Sequence, residues 1–109
     1  GAVTVAVRGH AVINDATRED AEAAGLSQLA EVIDNGSAMP GTVLADCSPE
    51  FRRRFAEADL VIAKGQGNYE SLHAERAPLF CLFRVKCAIV ATHCGHPVGS
   101  HVVWQAPAI

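Results

Sequence analysis

The sequence predicts an α/β fold with a mostly parallel sheet and helices on both faces, in three layers. Three observations lead there. Short runs of β-branched and small apolar residues recur along the 109 residues, helix-start signals stand between them, and polar residues collect just after the runs. Strands alternating with helices favour parallel pairing with crossovers. In such a sheet the strands end on one edge, and ligands bind in the crevice outside it.

Residues 2–7 are apolar or small with no charge until Arg8, which predicts a buried first strand. A strand at the very start also predicts that the chain begins inside a larger fold. Residues 11–13 form a short apolar run that leads into Asn14 and Asp15. Thr17, followed by Arg18, Glu19 and Asp20, predicts a capping box in which Asp20 takes the place usual for Glu or Gln. Acidic residues in that first turn suit the helix dipole, and Gly25 is expected to stop the helix after about Ala24.

Residues 29–33 predict a second strand, closed by the turn-rich stretch Asp34, Asn35, Gly36 and Ser37, and the loop continues through Thr42. Ser48 and Pro49 start the next helix, with serine as N-cap and proline in the first helical position. Its period puts Phe51, Phe55 and Ala58 on one face and the solvated Arg52, Arg53 and Arg54 on the other. Residues 60–63 predict a third strand, buried by composition, running into Lys64, Gly65, Gln66, Gly67 and Asn68 and a short helix through Leu72. A fourth strand covers 79–85, with Lys86 at its end. Residues 87–93 fit strand or helix equally by periodicity. Residues 100–105 predict a last strand, so 1–105 read as one domain and 106–109 as a tail.

Half the residues are apolar and the net charge is −3. Nucleic-acid binding by counterion release calls for a basic excess, so nucleic acid is not an expected partner. No apolar run approaches the ~20 residues that span a bilayer, and the start lacks the pattern of a secretory signal. Cys47, Cys81, Cys87 and Cys94 follow no regular spacing, which predicts reduced thiols. The expectation is a cytoplasmic chain that does not engage a membrane.

Two places carry candidate chemistry. Glycines directly after a strand let the backbone approach a ligand, and Lys64 adds a cation at the same turn, a combination that suits phosphate. The spacing is neither the nucleotide-binding P-loop nor the dinucleotide fingerprint. The alternative is a tight strand-to-helix turn and nothing more. Asp15 is the candidate hard-metal ligand, suited with its neighbouring amide to magnesium or manganese. The alternative there is a helix cap formed by Asp15 or Asn14. Cys87, His93, Cys94, His96 and His101 lack paired ligand spacings and read as core thiols and surface histidines rather than a zinc site. Cys87, beside Lys86, has no partner set for a thiol nucleophile.

These residues also carry a resemblance. Residues 7–20 with Asn14, Asp15 and Thr17, then 32–37, 40–42, 48–51, residues 58–70 with Lys64, Gly65, Asn68, Tyr69 and Glu70, and 85–87 are similar, in that order, to the C-terminal part of the metal-containing damage-control phosphatases. The resemblance implies a cobalt-, nickel-, manganese- or magnesium-dependent phosphatase acting on small phosphorylated metabolites, sugar phosphates or damaged cofactor intermediates. It assigns the metal to Asp15 and the phosphate to Lys64, with Asn14, Gly65, Gly67 and Asn68 at the substrate. Members of that family are two to three times this length, and their other metal ligands come from an Asp-Asn pair on a strand upstream. Asp34 and Asn35 stand in the wrong place for that role. The resemblance therefore implies an incomplete metal site, weak or absent activity of this chain alone, and self-association through surface that the remainder would cover. The rival reading is a non-catalytic α/β module that binds a phosphorylated ligand or a partner.

Overall fold

The computed structural model describes residues 2–10 and 15–107. The chain divides into two compact units, residues 1–54 and 55–109, each described by itself. The fold is α/β, and the strands fall into two small sheets rather than one.

In the first unit β1 (Thr4–Val7) and β2 (Glu31–Asp34) pair in parallel, with Thr4 opposite Glu31 and Val7 opposite Asp34. Between them lies α1 (Arg18–Ala23), which starts on the predicted capping box. The Thr17 N–H donates to Asp20 Oδ2 at 2.9 Å, and the Asp20 N–H donates to Thr17 Oγ1 at 3.5 Å. Two amide groups left without helical partners are thereby satisfied. Helix α2 (Pro49–Glu57) begins as its sequence dictates, the Ser48 hydroxyl accepting the Phe51 N–H at 3.1 Å.

Three expectations change here. Of β1 only Val7 is buried, and Val3 ahead of it is 66% exposed, because two four-residue strands cannot cover both of their own faces. Strand β2 starts at Glu31 rather than at residue 29, which follows a 3₁₀ turn (Leu26–Gln28) and leaves Leu29 exposed. Arg54 is not simply solvated: its guanidinium reaches back to Glu31 and donates to Thr4 Oγ1 at 2.8 Å.

The second unit orders its strands β3 (Val61–Lys64), β4 (Leu79–Arg84), β5 (His101–Gln105). The β3–β4 pair is parallel and β4–β5 antiparallel. Successive residues of a strand face opposite ways, and one face, with Ala63, Leu79, Cys81, Phe83 and Val102, is buried. Helix α3 (Gln66–Leu72) brings Tyr69 to that face, its ring stacked on Phe83 with centroids 4.5 Å apart and edge-on to Trp104 at 5.3 Å. The other face carries Ile62 and Val103, 60% and 73% exposed, so β3 is buried on one side only and not throughout as its composition suggests. Residues 87–93, undecided from periodicity, lie mostly in α4 (Ala88–Cys94), closed by Gly95 at φ +78°. The ladder continues past β5, the Ala106 N–H donating to the Leu79 carbonyl at 2.9 Å.

Candidate functional site

The carboxyl end of β3 turns sharply. Lys64 is its last residue, and Gly65 follows at φ +98°, a backbone that L side chains rarely adopt. The Gly65 N–H still donates to the Leu82 carbonyl at 2.9 Å, so the turn is anchored to the sheet. A Cβ at Gly65 would meet nothing within 4 Å, which leaves the side of the turn open. Asn68 ties the loop from within, its amide nitrogen donating to the Lys64 carbonyl at 2.7 Å. Gly67 lies in the first turn of α3, where its carbonyl accepts the Ser71 hydroxyl at 2.9 Å.

Beside this turn, Gln66 links the ends of β3 and β4. Its Oε1 accepts the Lys86 N–H at 2.7 Å and its Nε2 donates to Cys87 Sγ at 3.7 Å. An open groove of about 460 Å³ begins here, lined by Gly65, Gln66, Lys86, Arg84 and His101 over an apolar floor that includes Leu82 and Val103. No carboxylate of the described residues lines it. Among the described residues, the side chains of Lys64, Arg84, Lys86 and His101 have no hydrogen-bond or ion-pair partner. Arg84 was not singled out by sequence reasoning; Gln66 entered only as part of the glycine turn and His101 only as a surface histidine. Arg84 and His101 face each other only through the β4–β5 register, although the excess of cations near strand ends was readable.

In the first unit Asp15 is neither a helix cap nor free. Thr17 caps α1, and Asp15 Oδ2 lies 3.0 Å from Arg8 Nε. Arg8, the first charged residue after the apolar run 2–7, is engaged elsewhere as well: its Nη1 donates to the Met39 carbonyl at 3.1 Å and to the Gly41 carbonyl. Asn14 lies outside the described residues. Asn35 is a structural clamp, its buried Oδ1 accepting the N–H groups of Gly9 and Ser37, both at 3.0 Å. The loops it joins touch backbone to backbone, since a Cβ at Gly9 would fall 2.6 Å from Gly36 Cα. Asp34 holds Arg18 Nη2 at 3.1 Å and the Gly36 N–H at 2.9 Å.

A divalent ion needs several oxygen ligands. Among the described residues no group of three or more His, Cys, Asp or Glu is placed to hold one. A lone carboxylate already paired with a guanidinium does not fit the ion by itself. The buried thiols are no better suited to reaction: burial raises the Cys47 thiol, and it pushes Cys81 up to about 11.

Residues 1–102 match the damage-control phosphatase ARMT1-like domain. The chain belongs to this family. It is 42% identical over 105 residues to an uncharacterized protein of Methanocaldococcus jannaschii, covering 93% of this chain and 34% of that one. It is 42% identical over 101 residues to a damage-control phosphatase of Pyrococcus horikoshii, covering 92% and 35%. The crystal structure of a DUF89 family protein from Pyrococcus horikoshii superposes with a TM-score of 0.92 at 39% identity, over 97% of this chain and 38% of that one. The chain thus spans about a third of the length of the curated relatives it matches. In this chain the candidate phosphate turn at Lys64 belongs to the second unit and Asp15 to the first.

Proposed function

We propose that this segment supplies the phosphate-holding edge of a damage-control phosphatase that hydrolyses small phosphorylated metabolites, sugar phosphates or damaged cofactor intermediates. One observation carries the reading: Lys64 stands at a strand end without a side-chain partner among the described residues, next to a glycine whose positive φ keeps the turn open. An ammonium held there offsets charge on the transferring phosphoryl oxygens, where a fixed cation helps most. The edge also has the right sign, since no carboxylate of the described residues lines the groove beside it.

The relatives named as damage-control phosphatases support the reaction class. Dependence on manganese, cobalt, nickel or magnesium is part of the same reading for a chain of the family's full length, with Asp15 as one ligand. This segment alone is expected to hydrolyse weakly or not at all, because its donor set does not fit the ion. A cytoplasmic location also belongs to the reading. No helix of the described residues is long and apolar enough to cross a membrane.

The test is phosphate release from phosphomonoesters by a chain of full family length, with and without each ion. Lys64→Ala should lower kcat by about 10²-fold, the usual effect of removing one preorganised electrostatic group, and Asp15→Ala should weaken activation by the ion. Absence of hydrolysis with every ion, together with unchanged metal affinity in Asp15→Ala, would sink the proposal. The Arg8–Asp15 pair favours the second reading, a binding module without catalysis. That reading expects thermal stabilisation by inorganic phosphate with no metal requirement, lost in Lys64→Ala.

A further inference from the structure

We propose that the groove from Gly65 and Gln66 to Arg84 and His101 binds a second acidic group, so that the favoured ligand is a phosphomonoester that also carries a carboxylate or another phosphate. The inference rests on the phosphate turn at Lys64 and adds a substrate class to it.

Charge counting leads there first. A phosphomonoester carries close to two negative charges at neutral pH. Lys64, the last residue of β3, and Lys86, two residues past the end of the adjacent parallel strand β4, balance them. Arg84 is then in surplus. Arg8, Arg18 and Arg54 of the first unit each hold a carboxylate; Arg52, Arg53, Arg76 and Arg84 hold none among the described residues, and of these four Arg84 is the one that lines the groove, where no described carboxylate stands. Its cross-strand neighbour is His101, another N–H donor and not an acid. A planar guanidinium matches carboxylate or phosphate oxygens in pairs.

Geometry then sets the ligand's size. Lys64 pairs with Leu82 and Leu82 with Val103, forming one row on the exposed face of the sheet. Arg84 and His101 form the next row on that face, two residues along β4. Two residues of strand span ~7 Å. A phosphate at Lys64 and an acid at Arg84 are therefore a few bonds apart in one small molecule.

Two non-hydrolysable probes separate the parts on this 109-residue chain. Methylphosphonate has one acidic group; phosphonoacetate adds a carboxylate. Titration calorimetry should show phosphonoacetate binding about fivefold more tightly, the upper end for an ion pair open to solvent. Arg84→Gln should erase that preference and leave methylphosphonate affinity unchanged, while Lys64→Ala should weaken both. Equal affinities in the unaltered chain, or a preference that survives Arg84→Gln, would overturn the second-acid site while leaving the phosphate turn standing. Failure of the unaltered chain to bind either probe would overturn the phosphate turn and this inference with it. Arg84 is exposed, so Arg84→Gln should keep the melting temperature of the unaltered chain and its affinities can be compared directly.

Discussion

The two units place their paired cations differently. In the first, Arg8, Arg18 and Arg54 each meet a carboxylate, while Arg52 and Arg53 lie exposed on α2 with no ion pair among the described residues, and the buried polar residues Asn35, Ser37 and Thr42 sit among its loops. In the second, the core is apolar and aromatic around Tyr69, Leu79, Cys81 and Phe83, and the cations Lys64, Arg84 and Lys86 stand at or just past the strand ends without partners among the described residues. A charge satisfied within its own unit holds a loop in place. A cation left over beside an open groove is available to a ligand. Asp15, the residue most suggestive of a metal in the sequence, is structurally engaged, while Arg84, which suggested nothing, has no partner among the described residues.

The comparison is tested hardest in the second unit's core. Tyr69 is 2% exposed, stacks on Phe83 and meets His93 Nδ1 through its hydroxyl at 2.7 Å. Tyr69→Ala should cost about 3–5 kcal/mol in urea unfolding, the range for emptying a large aromatic site. Tyr69→Phe keeps the ring and should cost about 1 kcal/mol, the net value of one hydrogen bond. Similar costs for the two variants would mean that polar bonding, not packing, holds this unit too.

Next in size is the clamp of the first unit. Asn35→Ala removes the acceptor for two backbone N–H groups. Leaving such donors buried costs about 1–3 kcal/mol each when water cannot replace the lost partner. A loss near 3 kcal/mol is expected by urea unfolding, with faster hydrogen exchange at the Gly9 and Ser37 amides. Unchanged exchange at both would show that the clamp is not what joins these loops.

The strongest alkaline response should come from the second unit, at Cys81. Cys81 is fully buried and its thiol is pushed up to about 11 from an ordinary value of 9.0. Below pH 9 the thiol is protonated in both folded and unfolded chains. Between 9 and 11 only the unfolded chain releases the proton, so stability falls as pH rises, by about 2 kcal/mol at the top of that window. Cys81→Ala should flatten this alkaline limb, whatever its effect on stability at pH 7. A limb of the same slope in Cys81→Ala would assign it to another group.

Much of this was legible locally. The Thr17–Asp20 capping box, the Ser48–Pro49 helix start and the Lys64–Gly65 turn each depend on residues within one turn of chain, and each formed where its chemistry required. Burial was read less well. Ile62 and Ala63 are both apolar, yet strand alternation exposes one and buries the other, and composition does not say whether one face or two will be covered. The candidate site was legible at Lys64 and Gly65. Arg84 beside His101 and Arg8 against Asp15 depend on strand register and loop path, which residue type does not encode.

The smallest expected effect lies at the acid end, in the first unit. The Glu31 carboxyl is lowered, first by the hydrogen bond from Arg54 and then by that from Thr4. Asp20 is lowered by the Thr17 backbone and hydroxyl of the capping box. A depressed carboxyl stabilises the fold above its unfolded pKa, about 4 for these residues, and that contribution fades as pH falls through the lower folded value. Both groups are exposed, so the acid limb should be shallow and flatten further in high salt. Glu31→Gln should reduce its slope, whereas Lys64→Ala, with no carboxylate partner to lose, should leave it unchanged. If Lys64→Ala altered the acid limb, Lys64 would be paired with a carboxylate in solution, and the contrast between engaged and available cations would fail at the residue on which the phosphate turn depends.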